Sequence, residues 1–287
     1  MNRETRSTLP WHEAQPRFNA RCFDAIRDRL DAFNSDHWPS LDALNIQTNA
    51  LNLANHRGQP IKFVAPADSE STLMHYEKRI AETGEIATRE NWHDFFNAMQ
   101  WLTFPKSKAA ISEMHARLLP SPVEGTNKMR SIPRDVLTLF DEGGVIVSSA
   151  DETWLDHIRN FEWKKLFVER RADLGSNIRF YLAGHSVLEK MLNPFIGVTA
   201  KALLLKVDAN FSALSHKAQL REIDSRAAEW LMNAESLAST HHLHPLPILG
   251  IPGWLAANES AGFYNDTHYF RAGRGKLGKP GTESAKS

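Results

Sequence analysis

The residues of this chain best suited to chemistry are histidines set beside carboxylates. In residues 183–190, AGHSVLEK, His185 and Glu189 stand four apart and share a face if the segment is helical. Helical carboxylate proteins build metal sites from Glu and His at such spacings, with the remaining ligands supplied by another element. An intrahelical His–Glu hydrogen bond explains the same spacing more simply, and no HExxH motif supports the metal reading. His93, Asp94, His115, Asp141 and Glu142 are available to complete a site. Asp141 and Glu142 precede Gly143-Gly144 at the mouth of an expected strand, where adjacent carboxylates hold a cation or raise one another's pKa. His93 lies next to Trp92, at the edge of an apolar helical stripe and on one face with Asn97. A boundary histidine donating to a carbonyl would occupy the same place.

A basic turn offers an anion-binding function. Lys106 and Lys108 follow Phe104-Pro105 at an expected helix start, where the helix dipole favours negative charge, and Arg130, Arg134 and Arg179 can join them. A nucleotide cofactor has no support, since no complete Walker motif occurs. A strand running into Gly184-His185-Ser186 suggests a nucleophile elbow, but Leu188 stands where that turn needs glycine. The histidines of 241–244, HHLH, lack acidic neighbours and read as a surface cluster.

Composition narrows the partners. Lys plus Arg and Asp plus Glu are both 34, so the chain lacks the basic excess of a nucleic-acid binder and nucleic acid is not expected. A hydrophobic share of 42%, with 8 Trp and 15 Phe, is enough to bury a core without staples. The one cysteine, Cys22, rules out an internal disulfide and reads as a buried thiol. No run approaches the roughly 18 apolar residues of a membrane span, and the first residues lack an apolar leader core, so a cytoplasmic protein without a membrane partner is expected.

Helical periodicity dominates the elements that must carry these groups. Residues 17–33 place Phe18, Cys22, Ile26, Leu30 and Phe33 on one face, which predicts a helix. Further helices are expected at 40–53, 70–83 with Gly84 as its cap, from Thr88 as N-cap to 104, and at 108–119, 133–140, 151–160, 162–171 and 215–238. Residues 61–66 and 145–149 read as strands, with Gly143-Gly144 a turn. Residues 177–183 and 201–208 are ambiguous, strand being the marginal choice for the second. The Pro-, Gly- and aromatic-rich stretch 243–271 should wrap over the body as irregular chain. The expectation is a predominantly helical α+β domain over residues 1–272, with a disordered basic tail at 273–287.

The segments NWHDFFNAMQWLTFPKSKAAIS, LTLFDEGGVIV, AGHSVLEKMLNPF and LPILGIPGWLAANESAGFYNDTHYFR together resemble a bacterial family known as domain of unknown function 3025. The resemblance spans roughly residues 10–272. It implies no activity, but it binds these segments into one unit. The residues then suggest an enzyme using His93, Glu142 and His185 in catalysis. A divalent metal cofactor would sit on His185, Glu189 and Asp141, and a small anionic substrate on Lys106, Lys108 and Arg134. The alternative is a binding or assembly factor that presents the aromatic segment 251–270 and the basic tail to a partner.

Overall fold

A computed structural model describes residues 7–66, 76–119 and 131–273. It is built on a four-stranded mixed sheet in the order β4-β3-β5-β6, formed by β3 (Gly144–Ser149), β4 (Ile178–Leu182), β5 (Ala200–Lys206) and β6 (His244–Leu246). Strand β3 runs parallel to β5 and antiparallel to β4, and β5 pairs antiparallel with β6. Every residue of β3 is buried, because the sheet is covered on both faces. Val145, Val147, Leu182 and Ala202 enter one apolar cluster, and Ile146, Tyr181, Leu203 and Leu205 enter the other. That two-residue alternation is the pleat of the strands. A parallel pair, β1 (Lys62–Val64) with β2 (Glu85–Ala87), stands apart from this sheet. The α+β expectation, mostly helical, is what the structure shows.

Helices α1 (Leu41–Ala50), α2 (Tyr76–Thr83), α3 (Trp92–Thr103), α4 (Pro105–Arg117) and α5 (Ile132–Gly143) precede β3. Asn91, and not the expected Thr88, caps α3, accepting from Asp94 N at 2.9 Å, while Thr88 Oγ1 donates back to Ile86 O. The sequence suggested an amphipathic α3, yet from Asp94 to Thr103 every residue is buried. Its first turn is held by aromatic packing, with Trp92 stacked on Trp11 at 5.3 Å and against Trp38 at 4.6 Å between centroids. Burying each such ring stabilises by about 1.5–3 kcal/mol, so the turn that carries His93 is rigid. Pro105 then opens α4 as its first residue, where its missing N–H costs nothing.

Past β3 the chain forms α6 (Glu152–Arg159), α7 (Arg171–Asn177), α8 (His185–Met191) and α9 (His216–Met232). Several expectations change in detail. Residues 17–33 are a succession of short 3-10 and α turns broken at extended Ala20. The periodicity had found the right buried face, since Cys22, Ile26, Leu30 and Phe33 are all in the core. Both ambiguous segments are strands, β4 and β5, and the stretch expected to be irregular from 243 contributes β6 by pairing with β5. Around 162–171 a five-residue π turn, Lys165–Glu169, interrupts the helix. Gly84 leaves α2 at φ +75, where a Cβ would lie 2.1 Å from Pro60 O, so glycine is required. The expected start of that helix, residues 70–75, Arg130 and the expected tail from 274 onward lie outside the described residues.

Gly143-Gly144 is not a turn. Gly143 ends α5 and Gly144, already extended at φ −70 and ψ 145, begins β3. The glycine is needed for closeness instead of bending. Gly144 O accepts from both Ala183 N at 3.0 Å and Gly184 N at 2.8 Å. A Cβ on Gly184 would lie 2.4 Å from Gly144 N and 2.6 Å from Glu142 O. Because both obstacles are backbone, Gly184→Ala should cost about 3 kcal/mol, the upper end for overpacking. Gly175→Ala, with nothing within 4 Å of the added Cβ, should be neutral or stabilise by about 0.4–1 kcal/mol. Urea midpoints of the two variants check the contrast.

Candidate functional site

The Gly144–Gly184 contact brings the end of α5 against the start of α8, and α3 closes the third side. His93 comes from α3, Glu142 from α5 and His185 from α8. Their ligand atoms all lie within 4.8 Å of one another. The Nε2 atoms of His93 and His185 are 3.2 Å apart, with the rings edge to face at 74°. Glu142 Oε1 is 3.7 Å from His185 Nε2.

Behind the imidazoles stand two more carboxylates. Asp141 Oδ2 lies 3.6 Å from His185 Nδ1, and Glu189 Oε2 lies 3.6 Å from His93 Nδ1. Each carboxylate is anchored in turn. Glu189 Oε1 accepts from Ser7 N at 2.9 Å, and Asp141 Oδ1 accepts from Lys108 Nζ at 2.5 Å. The expected intrahelical pairing of His185 with Glu189 gives way to one across helices. Neither Nδ1 completes a hydrogen bond among the described residues, and Glu142 Oε2 is buried without a partner. Buried polar atoms are seldom left so, and three in one cluster mark a functional place.

Electrostatics sharpen the picture. Burial drives the His185 imidazole down to about 3, outweighing the opposing pull of Asp141 and reinforced by Lys108 and His93. At neutral pH His185 is therefore uncharged and has a lone pair to give. Burial alone would raise the Asp141 carboxyl, but Lys108 and the neighbouring histidines hold it below its usual range. Half-buried Glu77 on α2 goes the other way, up to about 7, through desolvation and then repulsion by Asp141. Nothing in the local sequence marks Glu77 among the charges of an amphipathic helix; only its folded surroundings do.

The three expected substrate cations separate. Lys108 is buried and committed to Asp141. Lys106 points away, its Nζ donating to Ser225 Oγ at 2.8 Å. The start of α4 does hold an anion, but it is the chain's own Asp224. That buried carboxylate accepts from Lys106 N at 3.0 Å, Ser107 N at 2.9 Å and Ser107 Oγ at 2.7 Å. Arg134 stays near the cluster, its charge lowering the pKa of Glu77, and its Nε is buried without a partner. Asp94 is engaged by Arg89, whose backbone N and Nε both donate to Oδ2. His115 is buried close enough to Asp141 to lower its pKa. Ser186 is buried in the first turn of α8 and is not presented on an exposed elbow.

Comparison with known proteins adds a family and nothing closer. The family described as protein of unknown function (DUF3025) matches residues 61–274. No curated protein and no solved structure matches significantly.

Two expected outcomes follow from the geometry. Lys108→Met strands Asp141 in the interior and should cost about 3–5 kcal/mol, whereas Lys108→Met with Asp141→Leu should recover most of the loss. Urea unfolding at neutral pH measures both. The second outcome concerns acid. The native state refuses a proton on His185 until about pH 3, while the unfolded chain takes it up near 6.5. His185 thus contributes stability fully above pH 6.5, and that contribution falls as pH drops from 6.5 toward 3. Metal-free wild type should lose stability faster than His185→Gln between pH 7 and pH 5, by up to about 1.4 kcal/mol per unit.

Proposed function

The chain belongs to that family of proteins of unknown function, and from this premise we propose that it is a metal-dependent hydrolase. Its metal would be a divalent transition ion bound by His93, His185 and Glu142. The observation that carries the reading is the 3.2 Å separation of the two Nε2 atoms. Carboxylate oxygens of Asp141 and Glu189 stand 3.6 Å from the two Nδ1 atoms, which favours keeping the ring protons on that side. The two Nε2 atoms are left to face each other, an arrangement that a shared hydrogen bond or a cation between them would hold. At metal–nitrogen distances of about 2.0–2.1 Å, a 3.2 Å separation subtends an angle of about 100°, close to tetrahedral. Glu142 is the most exposed of the three and can close the remaining distance by a side-chain rotation.

Two imidazoles and one carboxylate leave coordination positions open, the donor set of catalytic zinc and of non-haem iron or manganese. An ion held there would lower the pKa of a bound water to near 7 and polarise a carbonyl or phosphoryl oxygen. Each protein group has its part. Asp141 and Glu189 orient the imidazoles and raise their basicity, as carboxylates behind metal-bound histidines do. Lys108 keeps Asp141 ionised. Glu77, near enough to Asp141 and Lys108 to feel their charges and raised to about 7, would be the group to exchange a proton at neutral pH. Arg134, whose Nε lacks a partner, is the cation best able to meet an anionic substrate, and Lys106 and Lys108 are spent elsewhere.

The assembly-factor reading loses its main surface. Trp254, Tyr264, Tyr269 and Phe270 of the aromatic segment are all packed into the core. No helix among the described residues is long and apolar enough to cross a membrane.

Elemental analysis of the untagged protein tests the proposal. Near-stoichiometric zinc, manganese or iron is expected, lost in His185→Ala and Glu142→Gln with the fold retained. Asp141→Asn and Glu189→Gln should instead weaken metal affinity by about 10–100-fold. Protein that stays metal-free when offered these ions overturns the metal centre. Iron accompanied by oxygen uptake on addition of a reductant would replace hydrolysis with oxidation.

A further inference from the structure

A second concave site lies at the other end of β4. It is a cleft of 460 Å³, within the range that holds small-molecule ligands. Its walls come from the turn after Ala20, from α7 and β4, from the start of α9 and from the turn at residues 251–254. Three arginines converge on it: Arg21, Arg171 and Arg179.

The arginines differ in their commitments. Arg171 is fixed, donating to Glu259 Oε1 at 2.8 Å and to Tyr264 OH at 3.1 Å. Among the described residues, the guanidinium groups of Arg21 and Arg179 make no hydrogen bond and no ion pair. Arg21 lies across the backbone of Gly253, which turns at φ +80. A Cβ there would meet Arg21 Cδ at 2.7 Å, so the glycine leaves the guanidinium its path into the cleft. Between the cations the lining is aromatic, with half-buried Phe180 and the largely buried Trp254. Asp24 also lines the cleft, but Arg27 pairs with its carboxylate and balances that charge.

We propose that this cleft binds a small aromatic oxyanion. Its phosphate or carboxylate would sit on Arg21 and Arg179, and its ring against Phe180 and Trp254. Guanidinium forks suit planar or tetrahedral oxyanions because they offer paired N–H donors in a fixed geometry. The flat apolar wall gives the ring a surface that an inorganic ion cannot use. The cleft lining includes β4 as far as Tyr181 but none of His93, Glu142 and His185. The cleft is therefore a separate binding site and not a subsite of the histidine cluster.

Titration of the purified full-length protein with phenyl phosphate, benzoate and inorganic phosphate, followed by calorimetry and tryptophan fluorescence, tests the proposal. Saturable binding of phenyl phosphate or benzoate is expected, roughly tenfold or more tighter than inorganic phosphate. Whichever of the two binds tighter identifies the acidic group. Arg179→Gln and Arg21→Gln should each weaken binding by roughly tenfold, with Arg179→Lys recovering only part of the loss. Lys62→Gln, on exposed β1, should change nothing. His185→Ala should also bind normally, which separates this site from the metal proposal. Circular dichroism melts confirm that each variant is folded. Absence of saturable binding by either organic probe overturns the proposal, as does binding that survives both arginine substitutions. Equal affinity for inorganic phosphate removes the aromatic part of it.

Discussion

The site depends on one close approach, the backbone of Gly184 lying against that of Glu142, Gly143 and Gly144. No side chain fits between these segments, since an added Cβ would fall 2.4–2.7 Å from main-chain atoms on the other side. The carbonyl of Gly144 holds two N–H groups from the opposing segment, so the contact is bonded as well as tight. Its consequence is positional. Strand β3 leaves α5 at the point where β4 enters α8, and the last residues of one helix meet the first of the other. Asp141 and Glu142 face His185 for that reason. The aromatic packing around Trp92 then sets the remaining wall, and with it His93.

Burying this much charge requires compensation. A lone carboxylate or ammonium in the interior costs several kcal/mol, and the cluster avoids that by pairing. Lys108 and Asp141 form one pair, and the Ser7 amide supports Glu189. What is left over is informative: two imidazole Nδ1 atoms and one carboxylate oxygen without bonds, and a His185 imidazole kept neutral by burial. A purely structural network would be expected to satisfy its own members. This one stays incomplete around a point where three donor atoms converge.

The same reasoning explains why the lysines after Phe104-Pro105 are not a ligand site. A helix start does attract an anion, and the folded chain supplies one from α9. Asp224 takes up two backbone N–H groups and the Ser107 hydroxyl, docking α4 onto α9. Sequence could show the attraction but not the occupant, which lies 117 residues away. At the far end of β4 the situation is reversed. Arg179 has no local motif, yet folding sets it beside Arg21 and Arg171 in an aromatic cleft.

Local sequence determined what local physics controls. The apolar spacing of residues 92–102, Pro105 at a helix start and Gly84 at a helix end all follow from interactions within a few residues, whereas the cap fell to Asn91 and not to Thr88. The buried face of 17–33 was legible too, though its break at Ala20 was not, because periodicity reports a side and not a continuous hydrogen-bond ladder. His93, Asp141, Glu142, His185 and Glu189 could be named as chemically able from their types and spacing. Their division of labour could not. Whether Glu189 bonds within its own helix or backs His93, and whether Asp141 or Glu142 turns inward, depends on contacts between residues 33 to 182 positions apart. Glu77 and the arginine cleft belong wholly to the tertiary structure. Desolvation and converging charge arise only when distant segments exclude water together.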